Sequence, residues 1–99
     1  MRLGRVIGRV TLSQAVPSLQ GARWLIVSPL GRDDLSARPG AAAVSREPSL
    51  VVYDDLGGAP GDLIGFVEGR EAAMPFEQPT PVDAINGALI SNVYYHPMP

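Results

Sequence analysis

The sequence predicts an all-β fold, a small barrel of five short strands. Three observations predict it. Apolar, β-branched residues recur at a spacing of two, glycine and proline break them into short runs, and turns recur between the runs at short intervals. In 99 residues there are 11 glycines and 10 prolines.

The first strand is expected over residues 3–12. Leu3, Arg5, Ile7 and Arg9 fall on one face, Val6, Gly8 and Val10 on the other. Gly4 and Gly8 suggest a bend or bulge, as a tight barrel needs. Val16 to Gly21, with Pro17 and Ser18, reads as a turn or loop. Residues 23–28 form the second strand, stopped by Pro29. The stretch 31–40 carries two aspartates, two arginines, a serine and a proline, and reads as an exposed loop. Residues 41–44 suit the start of a short strand.

The run Leu50-Val51-Val52-Tyr53 is the third clear strand. A glycine-rich turn follows over 54–62, and its form suits a hairpin or a barrel corner. Residues 63–68 make the next strand, with Gly65 again suggesting curvature. Residues 69–76 suit a short helical turn, which Pro75 would end, or a loop. Residues 77–81 are a proline-rich connection, and residues 83–95 close the chain with a last strand, expected over 88–94. Five or so strands with turns at such intervals suggest a barrel of the oligonucleotide/oligosaccharide-binding type.

Composition bounds the function. The length allows one domain, residues 1–99, and a chain this short buries only about two-thirds of its unfolded surface. Apolar residues make up 45% and charged residues 18%, against about 25% charged in an average soluble domain. A chain so poor in charge is expected to cover part of its surface with a partner. It holds no cysteine, which removes disulfides, thiolate metal sites and thiol chemistry. All eight basic residues are arginine, and the net charge of −2 argues against a surface that collects phosphates. No apolar run approaches the roughly 20 residues of a membrane span. Residues 1–5 lack the apolar stretch of a secretory signal, so a soluble cytoplasmic protein is expected.

Catalytic groups are sparse. His96 is the only histidine and precedes Pro97. A terminal tail holds a catalytic base poorly, so a solvated role is expected there. Asp54, Asp55 and Asp62 bracket the glycine turn and have the oxygen chemistry for a hard cation. Their spacing matches no calcium loop, and aspartate is the ordinary turn residue because it accepts from nearby amides. Gly57, Gly58, Ala59, Pro60 and Gly61 resemble a phosphate loop only superficially. A strand-like run follows them, and no Lys-Ser/Thr pair does. The expectation is therefore no catalytic residue, no metal and no cofactor.

Binding of single-stranded nucleic acid or oligosaccharide by a monomeric barrel is the main rival reading. Such binders combine a basic groove with aromatic platforms. Here Trp24, Tyr53, Phe66, Phe76, Tyr94 and Tyr95 are not interleaved with basic residues, and core or interface roles are simpler. Arg5, Arg9 and Arg23 fall on strands, as outward solvated charges or partners for carboxylates of a neighbouring subunit. A small enzyme using the aspartates is the third reading, without a nucleophile–base pair to support it.

Taken in order, the segments resemble the bacterial microcompartment vertex family, of the EutN/CcmL type. Leu3-Gly4-Arg5-Val6-Ile7-Gly8-Arg9-Val10 is similar to the family's opening strand. Residues 17–30 resemble its Ser-Leu-x-Gly turn, basic residue, apolar strand and Pro-Leu. Asp54 to Asp62 resembles its glycine-rich turn, with Ala59 in place of the middle glycine. Gly69-Arg70-Glu71-Ala72-Ala73 stands where the family has Gly-Ser-Ser-Ala-Arg. Pro81-Val82-Asp83-Ala84 matches the lead into the last strand.

The resemblance implies a non-enzymatic homo-pentamer of five-stranded barrels that closes the five-fold corners of a polyhedral shell tiled by hexameric shell proteins. It implies no nucleic-acid or membrane partner, and a place in a microcompartment shell in the cytoplasm. It also makes Gly57, Gly58, Ala59, Pro60, Gly61, Gly69, Arg70 and Glu71 the candidates for subunit contacts or for lining a narrow axial opening.

Overall fold

A computed structural model describes residues 1–36 and 45–95. The chain folds into a closed five-stranded barrel. Its strands are β1 (Arg2–Val10), β2 (Arg23–Pro29), β3 (Leu50–Asp54), β4 (Leu63–Glu68) and β5 (Ala84–Leu89). Around the barrel they run β1-β2-β3-β5-β4, and β4 closes back onto β1. All pairings are antiparallel except β3 with β5, which meet in parallel at Tyr53 and Ile85. Following the register from Val10 through Trp24, Tyr53, Ile85 and Val67 returns to β1 near its first residues, not at Val10. Strands so displaced lie steeply tilted, which is how five strands close.

Alternation fills the interior. Val6, Leu25, Val27, Val52, Ile64, Phe66 and Ala84 form the core, each on the inward face of its strand. Phe66 is the largest of the fully buried side chains. Gly4 is inward too, and a Cβ there would sit 2.4 Å from Val27 Cγ1. Only a glycine lets β1 approach β2 so closely. Register shifts fall between Val6 and Gly8 on β1 and opposite Gly65/Phe66 on β5. The extra residues are Ile7 and Gly87, so each bend lies at or beside a glycine.

Several expectations need correction. The last strand occupies Ala84–Leu89, not 88–94. Ala84 and Asn86 supply its inward positions, whereas Val93 and Tyr94 beyond it are exposed. The loop expected at 31–40 contains a short helix, α1 (Arg32–Ser36). The Gly31 amide donates to Asp34 Oδ2 at 2.7 Å, and Leu35 N–H to the Gly31 carbonyl at 3.1 Å. As expected, β2 stops at Pro29, which is itself the last paired residue, opposite Gly4. The turn at 54–62 is a barrel corner and not a hairpin, because β5 lies between β3 and β4. A 3₁₀ turn at Gly69–Ala73 stands where the helical turn was expected. The strand start at 41–44 and the tail residue His96 lie outside the described residues.

Candidate functional site: the corner turn, the 3₁₀ turn and an open groove

Asp54 organises the corner. It is the last residue of β3, points inward and is 1% exposed. Its Oδ1 accepts from Leu56 N–H at 3.0 Å and from Asn86 Nδ2 at 2.9 Å. Its Oδ2 accepts from Gly57 N–H at 3.1 Å and Gly58 N–H at 2.8 Å. Asp62 accepts from Ala59 N–H at 2.9 Å, and Asp55 is exposed. The Asp54 and Asp62 carboxylates thus serve the backbone as turn acceptors. Burial by itself raises the Asp54 pKa, but the Asn86 amide and the three backbone N–H groups outweigh it and hold the carboxyl below its ordinary value. Among the described residues no three Asp, Glu, His or Cys side chains gather closely enough to hold a metal ion.

The corner is seated on the barrel. Gly61 N–H donates to Val6 O at 2.8 Å, and Val6 N–H to Asp62 O at 2.9 Å, so the turn continues the sheet along β1. The Arg5 guanidinium donates to Gly61 O at 3.1 Å. Gly58 lies against the core, where a Cβ would come within 2.9 Å of Leu25 Cδ1. Gly57, by contrast, has φ of +84° with open space around it. A side chain at Gly57 would be penalised by backbone strain and not by crowding. Gly57→Val should therefore lower stability by about 1–2 kcal/mol, checked by urea denaturation.

The second predicted segment lies elsewhere. Gly61 precedes β4 and Gly69 follows it, so the two are separated by the length of that strand. Six residues of strand span about 20 Å. Gly69 takes φ of +79° and its N–H donates to Asp83 O at 2.8 Å, which ties the 3₁₀ turn to the start of β5. Ala72 is wholly buried beneath it, while Arg70 and Glu71 are exposed. The predicted residues accordingly form two separate patches.

Sequence reasoning missed a third feature. Where β1 ends and β2 begins, the connecting loop frames an open groove of about 1120 Å³. Arg9, Leu12, Ala15, Leu19, Arg23 and Trp24 are among its lining residues, and no carboxylate is. Trp24 meets Tyr53 edge-on with centroids 5.6 Å apart, and Tyr53 meets Phe76 at 4.9 Å. These rings pack on one another, unlike an array of free faces for bases. The buried Trp24 indole N–H has no hydrogen-bond acceptor among the described residues. Arg9 and Arg23 are exposed and make no ion pair among the described residues, whereas Arg2 pairs with Glu68 at 2.8 Å. The signal for the groove was present in the two strand-end arginines flanking a loop, residues 11–22, that holds no acid.

Comparison with known proteins adds the following. A family model described as ethanolamine utilisation protein EutN/carboxysome matches residues 1–90. No curated protein matches the chain in sequence. Among solved structures, Gloeobacter violaceus CcmL is 25% identical, with a TM-score of 0.79 over 96% of this chain and 90% of that one. A protein described as the GrpN pentameric microcompartment shell protein from Rhodospirillum rubrum is 24% identical, with a TM-score of 0.76 over 98% and 100%. The ethanolamine utilization protein EutN from Escherichia coli is 21% identical, with a TM-score of 0.76 over 96% and 89%. The same barrel is thus shared along nearly the whole length of each.

Proposed function

This chain belongs to the EutN/carboxysome family, and from that premise we propose that it is a structural subunit of a bacterial microcompartment shell. Five copies join in a ring and cap the five-fold vertices of a carboxysome-like or metabolosome-like shell. The observation that carries this reading is the family match over residues 1–90, supported by a barrel superposable on CcmL across 96% of the chain.

The task is geometric. A flat layer of hexagonal tiles cannot close into a polyhedron unless pentagonal units occupy its corners. In a cyclic ring each subunit presents one face to a different face of its neighbour. A rigid barrel suits that work, because its strands leave no free sheet edge to pair at random. The protein acts in the cytoplasm, within the shell, through its shape and without catalysis. Its partners are its own copies and the hexameric shell proteins around the vertex. Gly57, Gly58, Ala59, Pro60 and Gly61 form one candidate patch for subunit contact or for the axial opening, and Gly69, Arg70 and Glu71 form the other.

The test is at the level of the shell. Shells assembled without this chain should stay open at their corners, seen as gaps in electron micrographs and as leakage of a trapped fluorescent protein. Adding the chain back should close them. Shells that close equally well without any vertex protein would contradict the proposal.

A further inference from the structure

We infer that, in the ring just proposed, the basic groove between β1 and β2 of one copy receives the Glu71–Met74 edge of the next copy. The inference rests on the ring reading and adds to it which faces meet.

The groove is one-signed. Arg9 and Arg23 line it, and no carboxylate does, in a chain whose net charge is −2. Both guanidinium groups lack an ion-pair partner among the described residues. Between them the loop offers apolar surface, with Leu12 42% exposed.

The 3₁₀ turn supplies a matching shape. Side chains three residues apart eclipse one another on such a turn. Ala72 points into the protein, which leaves Glu71 and Met74 together on an outer face. Met74 N–H donates to Glu71 O at 3.2 Å, extending the turn to that residue. Met74 is 77% exposed, so the turn ends in a bare apolar tip. Glu71 and Glu77 flank it without ion pairs among the described residues, and Arg70 falls on a different face of the turn. The tip is held firmly, since Gly69 is bonded to Asp83 and Phe76 packs on Tyr53.

A second copy explains both features at once. A foreign acidic partner would account for the groove and leave the exposed Met74 tip unexplained. A head-to-tail ring requires one chain to carry two different, complementary faces. A basic groove and an acid-flanked apolar tip on separate elements of the same chain meet that requirement.

Native mass spectrometry and sedimentation of the full chain test this. The unaltered chain should form the ring. Arg9→Glu with Arg23→Glu, or Glu71→Arg with Glu77→Arg, should each raise the concentration at which the ring dissociates by at least about tenfold. All four changes in one chain should restore it. Mixing the two double variants should not give complete rings, because strict alternation cannot close around an odd number of subunits. Arg9→Gln with Arg23→Gln removes charge without adding repulsion and should weaken the ring in the same direction. If that variant and the reversed chains form rings as stable as the parent's, the inference is wrong while the ring stands. If they form normal rings yet lose binding of polyglutamate or tripolyphosphate, the groove serves a foreign anion and the inference is likewise overturned. A parent chain that stays monomeric would instead refute the ring itself.

Discussion

Asp54→Ala should cost about 3–5 kcal/mol of folding stability and leave the corner turn without its fixed shape. The replacement strips the acceptor from three backbone N–H groups and from the Asn86 amide together. Buried donors left without partners cost about 1–3 kcal/mol each, and the Gly58 amide and Asn86 are the buried ones here. Against a total stability of about 5–15 kcal/mol for a small domain, that is a large share. Urea denaturation followed by circular dichroism measures it. A loss below about 1 kcal/mol would show that water replaces the carboxylate without penalty.

The same carboxylate imposes a dependence on acid. Its folded pKa lies below the ordinary value of 3.8. The stability it contributes is therefore complete above about pH 4 and drains away as pH falls through the lowered folded value. Asp54→Asn, which cannot ionise, should show a flatter stability profile between about pH 4 and pH 2 than the parent chain. Parallel profiles would assign the acid sensitivity to other groups.

Phe66→Ala should be similarly damaging, for a different reason. Phe66 is wholly enclosed within the core, and the Arg2 guanidinium lies 5.7 Å from the ring centroid. Truncation removes the buried ring and leaves a cavity that a closed barrel collapses poorly, at about 3–5 kcal/mol. Phe66→Leu keeps more of the volume and should lose less than half as much in the same urea assay. Equal losses in the two variants would mean that ring shape, and not volume, sets the packing.

These two residues also mark what the sequence made legible. Alternation placed Phe66 on a strand at 63–68, and the structure gives that strand the same bounds. Aspartate chemistry predicted that Asp54 and Asp62 serve their own turn, which their hydrogen bonds bear out. Asn86 was illegible because the last strand was drawn too late in the chain. With β5 at Ala84–Leu89, Asn86 becomes an inward residue facing the one buried carboxylate among the described residues. The parallel meeting of β3 and β5 is a long-range choice that no local pattern reveals. The groove was hidden similarly. Arg9 and Arg23 are 14 positions apart in sequence, and only the antiparallel register of β1 and β2 brings them to one end of the barrel.

The native mass of the purified 99-residue chain bears most directly on what this protein does. One subunit weighs 10.5 kDa, so the dominant particle should have five times that mass and no ladder of larger rings. A particle that remains at 10.5 kDa at high protein concentration would contradict the account.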